Sequence, residues 1–218
     1  MSPFSVQPLT PDLSALRRHV RALRRRLSPR LQRDHSRRVA RRLRTLTAFR
    51  RAERVALYLG TDGEVDLAHL IRDLWDRGRR CYLPVLRKTR PGRLWFVEYR
   101  RGLSLVPNRY RIPEPALKSA PRVPPWGLDL ILLPLVAFDR QCRRLGMGGG
   151  YYDRSLAYLR RRTSWRSPRL LGIAHECQGV ERLISRPWDI QLQGVVTEED
   201  FHDCGFLKRP SSALNAHS

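Results

Sequence analysis

Arg144 and Asp153 bracket a run in which four of five positions are glycine: Gly146, Gly148, Gly149 and Gly150. A guanidinium suits a polyphosphate, and a carboxylate at a phosphate site commonly holds magnesium. Glycine lets the backbone approach an anion closely and adopt positive φ. The loop is not a Walker A loop, since no Gly-Lys-Ser/Thr closes it. Nor is it a dinucleotide fingerprint, because Tyr151 stands where a third glycine should follow Gly146 and Gly148. Taken alone, it fits two readings, a phosphate cradle and a tight strand-to-helix turn. Arg144 and Asp153 favour the cradle, with a nucleotide phosphate as ligand.

The elements that must position this loop are legible on both sides. Leu130 to Asp139 opens as a continuous apolar run, read as a strand buried on both faces and too short to span a membrane. Beyond the glycines, Tyr152, Leu156 and Leu159 recur at i, i+4, i+7, the stripe of a helix. Strand, glycine loop and helix together aim backbone N–H groups at an anion. Upstream, Val55–Leu59 reads as a strand, Gly60–Gly63 as a turn, Leu67–Arg77 as a helix and Cys81–Val85 as a strand, a unit long enough for a parallel crossover.

Further strands are expected at Leu94–Tyr99, Arg169–Ala174 and Val195–Thr197. Gly102–Val106 reads as a short helical or extended excursion, Pro113–Pro125 as a surface connection, and Val180–Ile184 as a short helical piece. At the start, Asp12 caps a helix carrying Leu13, Leu16, Val20, Leu23 and Leu27. Ser28-Pro29 restarts it, and Leu31, His35, Val39 and Leu43 mark the buried side of a second helix, with His35 as a half-buried filler. The expectation is one α/β domain over residues 1–218, with a largely parallel sheet flanked by helices. Residues 1–11 and 201–218 are expected as loose ends.

Forty-three Lys and Arg against twenty Asp and Glu give a formal charge of +23, which points to a polyanionic substrate, nucleic acid or an acidic surface. Sixteen arginines lie between Arg17 and Arg54, with only Asp34 and Glu53 to oppose them. Because an apolar stripe runs through this segment, it reads as a folded, solvated helical face, with incidental, salt-sensitive RNA binding allowed. Cys81, Cys142, Cys177 and Cys204 are scattered without a C-x-x-C pair, as expected of reduced thiols in a cytoplasmic protein. No signal peptide or membrane segment is read, and the chain is expected to be a monomer.

The stretch Pro134–Asp139 with Arg144–Asp153 resembles the signature of the 5-formyltetrahydrofolate cyclo-ligase (5,10-methenyltetrahydrofolate synthetase) family. Supporting matches run in family order: Leu57–Glu64, Tyr82–Val85, Arg111–Pro115, Gly172–Ala174 with Gln178, and Trp188-Asp189 leading to Val195–Thr197. The resemblance implies the NagB/RpiA/CoA-transferase-like α/β architecture and ATP- and magnesium-dependent cyclisation of 5-formyltetrahydrofolate, free or polyglutamated. By the same resemblance, Arg17, Arg144, Leu145, Gly146, Met147, Gly148, Gly149, Gly150, Tyr151 and Tyr152 would hold ATP. Asp153 would bind magnesium, with Asp189 as a second magnesium-linked carboxylate or a strand-end turn residue. Leu59, Glu64, Tyr110 and Met147 to Tyr151 would line the folate site, Tyr110 being equally a core-packing residue. Leu13 stands where the family typically has a lysine, with Arg18 or Arg21 as substitutes.

Overall fold

A computed structural model describes residues 12–87, 92–116, 120–161 and 168–204. Its first helix, α1 (Leu13–Arg25), starts where the Asp12 carboxylate accepts the Ser14 N–H at 2.8 Å, an N-cap that satisfies one of the helix's orphan donors. In α2 (Pro29–Thr45), Ser28 caps the Leu31 N–H and proline takes the first turn, where its missing N–H costs nothing. Two shorter helices follow, α3 (Thr47–Arg50) and α4 (Ala68–Asp76).

Twelve strands are formed among the described residues: β1 (Arg54–Ala56), β2 (Arg80–Leu86), β3 (Leu94–Glu98), β4 (Leu105–Pro107), β5 (Pro113–Pro115), β6 (Arg122–Val123), β7 (Leu130–Pro134), β8 (Ala137–Phe138), β9 (Arg144–Leu145), β10 (Arg169–Ile173), β11 (Gly194–Val196) and β12 (Phe201–Asp203). Eight of them make one sheet in the order β12-β11-β10-β7-β1-β2-β3-β6. The five strands from β11 to β2 run parallel, and antiparallel strands finish both edges. The largely parallel sheet flanked by helices is thus present.

β7 sits near the middle, and its alternation divides two cores. Leu130 and Leu132 pack with Val39, Leu43, Leu70 and Leu74 of α2 and α4. Ile131 and Leu133 pack on the other face with Phe96, Leu156 and Leu192. Being covered on both sides is why this strand reads as an unbroken apolar run. A third cluster joins Leu13, Leu16 and Val20 of α1 to Val136, Ala137, Leu145 and Leu183. Among the described residues no helix is long and apolar enough to cross a membrane.

Several expectations are corrected. Val180–Ile184 is not helical; a 3-10 turn forms instead at Glu176–Gln178. The reason is that the Val180 N–H bonds the Phe138 carbonyl (2.8 Å) and the Leu183 N–H bonds Asp139 Oδ2 (2.9 Å), so those donors are taken from outside. Phe201–Asp203 is not a loose end, because β12 pairs antiparallel with β11 and closes that sheet edge. Residues 1–11 and 205–218 lie outside the described residues. The excursion at Gly102–Val106 ends in β4, which pairs with β5, so the proline-dense segment carries two short strands rather than a plain connection. Cys142 and Cys204 are not reduced thiols: they are joined sulfur to sulfur, with their Cα atoms 6.0 Å apart. Cys81 and Cys177 are free.

Candidate functional site

The parallel strands deliver their carboxyl ends to one side of the sheet, the side where α/β proteins open a ligand crevice. A cavity of about 1000 Å³ lies there, lined by Leu59 beyond β1, Pro84 and Leu86 of β2, and Pro134 with Leu135 at the end of β7. α1 forms another wall with Leu13, Arg17, Arg21 and Arg24. The glycine loop and the short helix behind it, α5 (Tyr151–Leu156), complete it. Apart from Arg18, offered as one substitute for the displaced lysine, every residue picked out from the sequence as an ATP, folate or magnesium contact lines this cavity.

The loop leaves β9 through Gly146 and turns at Gly148 (φ +94°) and Gly150 (φ +59°), conformations that carry a steric penalty for any side chain. A Cβ on Gly149 would also stand 2.8 Å from the Tyr151 ring. Arginines brace the loop from both sides. Arg17 Nε donates to the Gly146 carbonyl at 2.8 Å, and Arg154 donates to the carbonyls of Gly149 and Gly92. The helical stripe that was expected to reach Leu159 is α-helical only to Leu156, then tightens into a 3-10 turn, Ala157–Arg161. A six-residue helix has little macrodipole, so the positive potential here comes from the arginines.

Arg144 and Asp153, nine residues apart, meet. Arg144 Nη2 lies 2.5 Å from Asp153 Oδ1, and Arg144 also donates to the Ile190 carbonyl. The Ile190 N–H donates to the same Asp153 oxygen at 3.1 Å. Asp189 sits on the rim, where its Oδ2 accepts the Arg186 N–H at 2.8 Å and closes a turn.

Glu64 is largely buried. Its Oε2 accepts the Thr61 N–H at 3.1 Å, while burial raises its pKa above the ordinary carboxylate value. Tyr110 is not core packing: it is 53% exposed and stands edge-on to Tyr151, their hydroxyls 2.8 Å apart. Arg109 donates to the Tyr151 hydroxyl as well, and these partners draw the phenol below its usual pKa, with the Tyr110 bond foremost.

Sequence reasoning missed a cluster of Arg21, Arg24 and Asp62. Arg24 is 1% exposed; its Nη2 lies 2.9 Å from Asp62 Oδ2 and its Nε donates to the Asp62 carbonyl at 3.0 Å. Arg21 and Arg25 reach the same carboxylate. Arg24 Nη1 has no hydrogen-bond partner among the described residues, with Glu64 Oε1 3.7 Å away. A signal was present, since Arg17, Arg21 and Arg24 follow at i, i+4, i+7 on one helix face. The arginine segment is therefore not wholly a solvated face. Of the two substitutes for the lysine displaced by Leu13, Arg21 lines the cavity and Arg18 is exposed.

Residues 10–198 match the 5-formyltetrahydrofolate cyclo-ligase family. The chain is 42% identical over 180 residues to the 5-formyltetrahydrofolate cyclo-ligase of Escherichia coli K12, covering 82% of this chain and 96% of the relative. It is 35% identical over 183 residues to that of Haemophilus influenzae, covering 83% and 95%. The solved structure of Aquifex aeolicus 5,10-methenyltetrahydrofolate synthetase superposes with a TM-score of 0.76 at 31% identity, covering 94% of this chain and 99% of that one. With fold, loop and cavity in agreement over nearly its whole described length, the chain belongs to the 5-formyltetrahydrofolate cyclo-ligase family.

Proposed function

We propose that the cavity binds ATP and 5-formyltetrahydrofolate side by side and closes the formyl group onto N10, giving 5,10-methenyltetrahydrofolate, ADP and phosphate. The observation that carries this reading is the meeting of the glycine loop, Asp153 and the buried Glu64 in one cavity. A formamide oxygen is a poor leaving group until it is phosphorylated. The formyl oxygen attacks the terminal phosphorus and ADP leaves. N10 then attacks the activated carbon and phosphate departs with the formyl oxygen. No protein nucleophile is needed, and catalysis is positioning plus charge neutralisation.

The residues present fit a magnesium nucleotide. Asp153 receives both of its hydrogen bonds on Oδ1, which leaves Oδ2 for a cation. Magnesium would supply charge neutralisation across the phosphate oxygens. Arg17 and Arg144 and the backbone from Gly146 to Gly150 would hold the phosphates. Arg17 and Arg154, both bonded to loop carbonyls, keep the loop in shape for them. Glu64 would accept hydrogen bonds from the amino and ring N–H groups of the pterin. The unpartnered Nη1 of Arg24 would meet the adjacent pterin carbonyl. Leu59 and the Tyr110–Tyr151 pair would wall the folate. Asp189 closes its turn through Oδ2 and would offer Oδ1 as a second magnesium-linked carboxylate.

The test is to label the formyl oxygen and follow it. Labelled phosphate, with ADP and methenyl product in equal amounts, is the expected result. Label retained in the folate, or ATP cleavage indifferent to folate, would overturn the assignment in favour of a ligase with a different acceptor.

A further inference from the structure

Behind the turn that carries Asp62 and Glu64, three ligand-type side chains from distant parts of the chain converge. His35 comes from α2, His175 precedes the 3-10 turn after β10, and Glu198 follows β11. His35 Nδ1 stands 3.0 Å from His175 Nδ1 and 3.1 Å from Glu198 Oε1, and the three residues each offer a ligand atom within 4.8 Å of the others. His175 is fully buried and Glu198 is 5% exposed. His35 is thus no mere filler.

Proton accounting shows what the cluster lacks. His175 Nε2 faces the Gly63 carbonyl at 3.1 Å, so it carries the proton and leaves Nδ1 as a lone pair. Glu198 Oε1 is also an acceptor. The one proton on His35 Nδ1 must serve both, so one buried acceptor is always short. A cation in place of that proton would satisfy all three atoms.

We propose that His35 Nδ1, His175 Nδ1 and Glu198 Oε1 form a binding site for one divalent transition-metal ion, of which zinc is the best match. Two imidazoles and one carboxylate suit zinc, cobalt or nickel, whereas magnesium prefers an all-oxygen shell. Zinc held at about 2.0–2.1 Å places tetrahedral ligands roughly 3.3 Å apart. The two short edges open by a few tenths of an ångström, and the third, between His175 and Glu198, settles to the same length from within 4.8 Å.

The supporting contacts are those that orient metal ligands elsewhere. The Gly63 carbonyl fixes the His175 tautomer, and the Glu176 N–H donates to Glu198 Oε2 at 3.1 Å, leaving Oε1 for the ion. Arg42, one α2 face along from His35, donates to the carbonyls of Thr197, Glu198 and Glu199 and holds that loop beneath the helix. His35 is partly exposed and gives the ion a way in. The nearby positive charge of Arg24 is taken up by Asp62. The site is separate from the nucleotide's magnesium and stands whether or not the folate reading holds.

The full chain, stripped with a chelator, is titrated with zinc against a chromophoric chelator in excess magnesium. One zinc per chain and a zinc-dependent rise in melting temperature are expected. His35→Ala should weaken zinc binding by ~100-fold or more and abolish the rise, while Cys177→Ser should match wild type. Absence of a stoichiometric site, wild-type affinity in His35→Ala, or loss of binding in Cys177→Ser would overturn the proposal. Should His35→Ala fail to fold, cobalt in the wild-type chain decides. Tetrahedral ligand-field bands without a thiolate charge-transfer band support the site, and an octahedral or thiolate spectrum refutes it.

Discussion

Asp153 receives both of its hydrogen bonds through one oxygen, and that asymmetry makes its role testable. Asp153→Asn keeps the side-chain volume and an oxygen for Arg144 and Ile190 but removes the charge a cation requires. The variant should fold as wild type and lose magnesium-dependent turnover by ~100-fold or more, read as initial rates across a magnesium titration. Near-normal rates with unaltered magnesium dependence would remove Asp153 from the reaction. Glu64→Gln tests the other end of the cavity. It should raise the folate KM and leave the ATP KM unchanged, and a rise in the ATP KM instead would assign Glu64 to the wrong ligand. Because burial raises the Glu64 pKa, the carboxylate is neutralised at less acid pH than an exposed one. Folate affinity should therefore weaken as pH falls through that raised pKa, and the glutamine variant should lack this limb.

At the scale of elements, Asp62 is the fastening of α1. Burial works against its charge, but Arg25, Arg21 and Arg24 more than offset this and hold its pKa below the ordinary value. The sign follows: the folded pKa lies below the unfolded value of about 3.9, so the stabilisation is present above about pH 4 and is lost as pH falls through the folded pKa. Asp62→Ala strands the buried Arg24 and should cost about 3 kcal/mol by denaturant unfolding, with a flatter acid limb. An unchanged midpoint would show that α1 is held by its apolar face alone. Such pairings explain what the sequence could and could not disclose. β7 and the glycine loop are legible because their signals are local: an apolar run of strand length and a glycine cluster. Asp62 with Arg24, His35 with Glu198, and Cys142 with Cys204 join residues 38 to 163 positions apart, and neither partner's neighbourhood announces the other. Val180–Ile184 misled for the same reason, since its helix-like composition is overridden by acceptors at Phe138 and Asp139.

For the whole molecule, the +23 charge is divided between two jobs. Arg17, Arg21, Arg24 and Arg144 face the cavity, whereas Arg30, Arg33, Arg37 and Arg41 form an exposed stripe along α2 without an ion pair among the described residues. Replacing those four by glutamine should leave catalysis within a few-fold and weaken any retention on RNA, with a shallower salt dependence. Complete loss of turnover in a folded variant would extend the site onto α2.

The anchoring of α1 also has a consequence for how the chain is made. This helix leaves the ribosome before its partners: its polar contacts arrive with Asp62 and Gly146, and its apolar stripe is covered by residues as late as Leu183. At about 5–20 residues per second, a cationic amphipathic helix waits on the order of ten seconds or more for its partners. During that interval its apolar stripe is open to a chaperone.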